Sequence, residues 1–167
     1  MKKLITLSVL LFWLWGNLDA QKTAVIDINY ILENLDAYKK AQTQLDQLAA
    51  QWRQEIAVEQ DKIKSLYNRY QAEQVLLSDE MKRQREDEIT NKEKSIMVMQ
   101  REKFGPEGEL FKKRQELVKP IQDKVYAAVE DYAVARGLEI VFDTGGAIIY
   151  VKTDLDKSED ILKKLKQ

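Results

Sequence analysis

Between Asp36 and Ala135 the chain is rich in Gln, Glu, Lys and Arg, and its apolar residues form a thin, regularly spaced stripe. Leu45, Leu48, Trp52, Ile56, Ile63, Leu66 and Tyr70 recur mostly at intervals of three and four, and an eleven-residue step from Trp52 to Ile63 shifts the heptad phase once. A second stripe runs Met81, Ile89, Lys92, Ile96 and Met99. Each stripe is wide enough for one partner helix and too narrow for a three-layer core. Between them, Val75 to Glu80 predicts a reversal, because Ser78 is a good helix N-cap and Asp79 and Glu80 put acid in a first turn. Two thin stripes joined by a short turn predict an antiparallel coiled-coil hairpin. Counting symmetrically from residues 77 and 78 places Phe104 and Gly105 opposite Ala50 and Gln51. An arm of about 27 residues per helix would be roughly 40 Å long.

Gly105-Pro106-Glu107-Gly108 then interrupts the helical pattern. Proline removes a helical hydrogen bond and costs about 3 kcal/mol in a helix interior, and glycine on either side adds backbone freedom. The segment reads either as a helix boundary or as a hinge built on Gly105, Pro106 and Gly108. A further helix from Glu109 carries Leu110, Leu117, Ile121, Val125, Ala128 and Tyr132, with a kink expected at Pro120 and a C-terminal stop at Gly137.

Short apolar segments flank the helical run. Thr23 to Ile28 reads as a strand, followed by a short helix, Tyr30 to Asn34, capped by Asn29; Asp36 is the expected cap of the first long helix. Leu138 to Asp143 and Ala147 to Val151, joined by Thr144-Gly145-Gly146, predict a β-hairpin. Both strands are apolar on both faces, more than so small a body can cover, and exposed apolar sheet edges invite association. Packing of the sheets of several chains is the economical solution. Asp156 to Glu159 resembles a capping box that opens a last helix bearing Ile161, Leu162 and Leu165.

Composition narrows the chemistry. The chain has 0 Cys and 0 His, which removes thiol nucleophiles, imidazole bases and Cys/His zinc sites. It has no phosphate-binding glycine loop, and its many carboxylates fall on solvated helices, so neither an enzyme nor any cofactor is expected. A formal charge of -1 gives no basis for nucleic-acid binding. Lys82-Arg83-Gln84-Arg85 can touch anionic membrane lipid weakly, but Glu86-Asp87-Glu88 follows at once and makes the run a mixed-charge surface. Residues 1–20 have the layout of a cleaved secretory signal peptide: basic Lys2-Lys3, an apolar run from Leu4 to Trp15, and a small residue, Ala20. Removing Lys2, Lys3 and Asp19 takes the charge from -1 to -2. An exported, cysteine-free product suits a bacterial envelope compartment, where unpaired thiols are a liability; the family resemblance below makes that compartment the periplasm.

The order of parts resembles the OmpH/Skp family of periplasmic outer-membrane-protein chaperones. The match rests on the strand Ala24-Val25-Ile26-Asp27, the long charged hairpin, Lys119 to Val125 leading into Gly137 to Asp143, and the ending Ile148-Ile149-Tyr150, Asp154-Leu155-Asp156 and Ile161 to Leu165. The resemblance implies an α+β, mostly helical fold. In it a helical hairpin arm, residues 36–103, projects from a small β-sheet body, residues 21–35 and 109–167, with the hinge candidates at 105–108. It further implies a homotrimer whose strands join in a β-barrel, with Val25, Ile26, Ile140, Phe142, Ile148 and Tyr150 as body residues. Three arms would then enclose a cavity that shelters unfolded outer-membrane proteins without ATP. This chain's balanced arms differ from the strongly basic arms of the best-known members, so no lipopolysaccharide site is carried over. Tyr67, Tyr70, Leu76, Leu77, Met81, Met97 and Met99 are the candidates for client contact, methionine being adaptable at promiscuous surfaces. A reading from another class is a trimeric coiled-coil spacer or adaptor of the cell envelope.

Overall fold

The computed structural model describes residues 22–146 and 148–167. The segment read as a signal peptide lies outside them. The described chain is mostly helical: strand β1 (Thr23–Ile26), helix α1 (Ile28–Glu33), α2 (Asp36–Glu73), α3 (Asp79–Phe104), α4 (Glu109–Arg136), strand β2 (Ile140–Asp143), a 3-10 turn (Thr153–Leu155) and α5 (Ser158–Leu165). It divides into two compact units, one of residues 32–126 and one of residues 22–31 and 127–167.

The helical unit contains the long hairpin. Neither α2, with 38 residues, nor α3, with 26, contains Gly or Pro, so nothing in their interiors interrupts the hydrogen-bond ladder. The expected stripe is the buried one: Leu45, Trp52 and Ile56 of α2 and Ile89 and Ile96 of α3 are buried, together with Ala41 and Ala49. Met81 and Lys92 are exposed. The same unit has a second apolar centre, in which Val118 of α4 joins Ala41 and Leu45, with Tyr38, Leu110, Leu117 and Ile121 packed around them. A helix with a polar outer face and one apolar stripe is stable only where such a partner removes that stripe from water. The first half of α4 therefore closes against the start of α2. Pro120 lies inside α4, which continues through it.

The other unit holds the sheet. β1 and β2 pair in parallel, with Val25 opposite Phe142 and Ile26 opposite Asp143. The β-hairpin expected from Leu138 to Val151 does not form: residues 148–151 belong to no strand, and β2 takes β1 as its partner. Backbone geometry accounts for the difference. The Asp143 carboxylate accepts from the backbone N–H of Gly145 at 3.1 Å and of Ile28 at 3.3 Å, which anchors the turn to the start of α1. The chain then passes to the opposite edge of β1, where Asp156 bridges Val25 and Lys157 N–H donates to the Val25 carbonyl at 2.8 Å. With the following chain committed to that edge, β1 rather than residues 148–151 fills the ladder of β2. Parallel pairing needs a long crossover, and the intervening helices supply it.

Three helix ends also differ from expectation. The Asp27 carboxylate, not Asn29, caps α1 by accepting from Tyr30 N–H at 2.9 Å. Asp36 is the first residue of α2, and the preceding Leu35 gives no side-chain cap. At α5 Asp156 Oδ1 accepts from Ser158 N–H at 2.9 Å, so the start is an Asp-based turn without the reciprocal glutamate of a capping box. Gly137 ends α4 as expected. Its φ is 62°, and Leu138 N–H reaches the Ala133 carbonyl while Gly137 N–H reaches Val134, the paired bonds of a Schellman stop.

Candidate functional site

The hairpin is built about a two-fold count. Trp52 of α2 meets Phe104 of α3 edge-on, with ring centroids 6.1 Å apart, and Tyr70 donates to Glu86 Oε1 at 2.5 Å. Both pairs are symmetric about residue 78, within a residue of the register read from the sequence. At the reversal Ser78 accepts from Met81 N–H at 3.3 Å, as its cap role predicts. The residues before it, Val75 and Leu76, are each 84% exposed. Leu77 is half-buried beside them.

The client-contact candidates separate into two kinds. Tyr67, Leu76, Met81 and Met97 are exposed on the hairpin surface. Tyr70, Leu77 and Met99 are half-buried. Tyr70 is committed to Glu86, whose carboxylate, accepting from the hydroxyl, raises the phenol above its ordinary value. Val58, Val75 and Val98 are exposed as well and were missed, because a single valine off the stripe carries no periodic signal. At the tip, Lys82 lies 3.8 Å from Asp79 and Arg85 3.0 Å from Glu88. Two of the three cations in the basic cluster thus have acids of their own helix beside them. Elsewhere on α2, Lys62 bonds Glu59 at 2.5 Å and holds that carboxyl below its ordinary range.

Of the hinge candidates, Gly108 is buried, Gly105 half-buried and Pro106 exposed. The three border an open cleft of about 830 Å³ that Val98, Arg101, Glu102 and Lys112 also line.

In the sheet-bearing unit, Val25 and Ile26 are buried, as are Ile31, Ala128, Ile161 and Leu162. Ser158 is the one polar residue buried among the described residues. Its hydroxyl accepts from Asp27 N–H at 2.8 Å and donates to Asp156 Oδ1 at 2.6 Å. Helix α5 is held by three further bonds: Tyr30 to Glu159, Tyr132 to Asp160 at 2.8 Å, and Lys164 to Asp131 at 2.9 Å. The bond to Glu159 raises the Tyr30 phenol, and partial burial followed by the bond to Asp160 raises that of Tyr132. The other body candidates are less covered. Ile140, Phe142 and Tyr150 are exposed and Ile148 is half-buried. Ile149, which lies between two of the body candidates, is fully exposed at 101%. Single exposed apolar side chains are ordinary; several within one short stretch mark a surface that meets something.

Comparison with known proteins agrees with this architecture. The chain is 28% identical over 165 residues to an uncharacterised protein of Aquifex aeolicus, covering 99% of this chain and 96% of that one. Its fold is similar to the crystal structure of a Caulobacter crescentus protein described as an OmpH-like outer membrane chaperone. The TM-score is 0.71 at 9% identity, over 89% of this chain and 86% of that one. Residues 22–165 match the family described as outer membrane protein (OmpH-like). The match takes in nearly every residue of both units, and the chain belongs to the OmpH-like family.

Proposed function

We propose that this protein is an ATP-independent periplasmic holdase that shelters unfolded outer-membrane proteins, and that it works as a homotrimer. The observation that carries the reading is the match to the OmpH-like family over both units. The surface chemistry supports it. The hairpin is highly charged yet leaves Tyr67, Val75, Leu76, Met81 and Met97 exposed and dispersed. Dispersed apolar contacts among charges hold a flexible chain by many weak attachments without imposing a structure on it. Keeping aggregation-prone segments apart then needs no energy input.

The trimer rests on Ile140, Phe142, Ile149 and Tyr150, whose exposure calls for cover from other copies of the chain. Closing the strands of three copies into a barrel would remove the open sheet edges. Export through the segment at residues 1–20 would deliver the protein to its clients.

The test is dilution of a urea-denatured outer-membrane β-barrel protein into buffer with equimolar trimer, followed by light scattering. Suppressed scattering without ATP is expected. Unchanged aggregation together with binding to a single folded envelope protein would replace the holdase with a spacer or adaptor.

A further inference from the structure

The four residues between α3 and α4 form a braced turn. Gly105 N–H donates to the Arg101 carbonyl at 2.8 Å, Gly108 N–H to Gly105 at 2.9 Å, and Lys112 N–H to Gly108 at 3.1 Å. A Cβ on Gly105 would lie 2.4 Å from the Arg101 carbonyl oxygen, and one on Gly108 would lie 2.7 Å from that of Glu102. The glycines are there because backbone passes against backbone.

Side chains from three helices close over this turn. Trp52 of α2 is buried against the edge of Phe104. Lys103 Nζ lies 4.8 Å from the centre of the Trp52 ring and 2.8 Å from Glu109 Oε1. One ammonium thus touches α2 through a ring face and the start of α4 through a carboxylate, from its own place at the end of α3. Its partner six residues away lies beyond the break, so the pair ties two helices together across the turn. Next to the turn, the 830 Å³ cleft leaves room for the angle between α3 and α4 to change.

We infer that Lys103 is the bolt of a latched elbow: bound to Trp52 and Glu109 it holds the α3–α4 angle, and its release lets that angle vary. The carboxylate side of the latch is half exposed and is screened by salt, whereas the ring side is sheltered and less so. The latch lies within a single copy of the chain and does not depend on the chaperone reading.

The test uses the absence of cysteine. Asp87→Cys on α3 and Arg114→Cys on α4, both exposed, give a pair of spin labels within one compact unit. Trp52, the single tryptophan of residues 22–167, reports the latch by its fluorescence. Lys103→Met and Glu109→Gln are expected to broaden the label-to-label distance distribution and shift Trp52 emission to the red. Lys103→Arg, which keeps both contacts, should leave both readouts unchanged. Raising salt should broaden the parent more than Lys103→Met. Parent-like width and emission in Lys103→Met would overturn the latch, as would Lys103→Arg broadening as much as Lys103→Met. Circular dichroism confirms that each variant is folded, and neither readout involves a client, so failure here leaves the aggregation assay untouched.

Discussion

The Ser158 hydroxyl accepts a hydrogen bond from the backbone N–H of Asp27, 131 residues earlier in the chain. Ser158 is buried, and its bond closes the sheet-bearing unit by joining the end of β1 to the first turn of α5. Ser158→Ala removes the acceptor and leaves the Asp27 N–H without it. A cost of about 1 kcal/mol is expected, because the stripped donor is part-buried and loses its partner. Denaturant unfolding followed by circular dichroism measures it, and a cost below a few tenths of a kcal/mol would show that water takes over the bond.

Gly137→Ala should cost roughly 1–2 kcal/mol, because φ of 62° brings Cβ close to the following carbonyl. Nothing lies within 4 Å of the added Cβ, so the loss comes from backbone strain alone. Gly137→Asn, which tolerates this conformation, should retain part of the stability in a thermal melt.

Alkaline pH should loosen α5. The Tyr30 and Tyr132 phenols ionise above the ordinary 10.0 because the folded state favours their neutral form. A raised value means the stabilisation is complete below about pH 10 and fades as pH climbs through the folded-state value. Tyrosine absorbance titrated alongside circular dichroism would show it, and Tyr30→Phe with Tyr132→Phe should abolish the coupling. Glu59 has the opposite sign: its lowered value gives stability above the ordinary 4.5 that is lost as pH falls.

Self-association can be challenged at Ile149 and Tyr150. Both are exposed within one chain, so Ile149→Glu with Tyr150→Glu should change the fold of a single copy by no more than about 0.5 kcal/mol. If these residues face other copies, the mass measured by light scattering should fall to that of one chain. An unchanged mass would place the subunit contact elsewhere.

At the hairpin tip, Val75→Ser with Leu76→Ser should leave helix content intact, since both lie between α2 and α3 and are almost fully exposed. Suppression of client aggregation should weaken. Equal protection by the variant would remove the tip from the client surface.

Most of the helical layout was legible along the chain, because it depends on local chemistry. The stripe through Leu45, Trp52 and Ile56, the cap at Ser78, the break at Gly105 to Gly108 and the stop at Gly137 each follow from residues within a turn or two of one another. The hairpin register followed too, since a short reversal leaves two helices one way to align their stripes. The sheet did not. Two apolar runs separated by Thr-Gly-Gly carry the same local signal whether they pair with each other or with a strand more than a hundred residues away. The Asp143 turn and the Asp156 bridge to Val25 decide between these, and both are contacts between residues distant in sequence. Local periodicity likewise says nothing of the Trp52, Lys103 and Glu109 cluster. Spacing, caps and breakers along the chain set where helices begin, end and reverse. Which strand β2 joins and what braces the elbow were settled by long-range packing, because those outcomes depend on backbone groups and charges that meet only after the helices have brought them together.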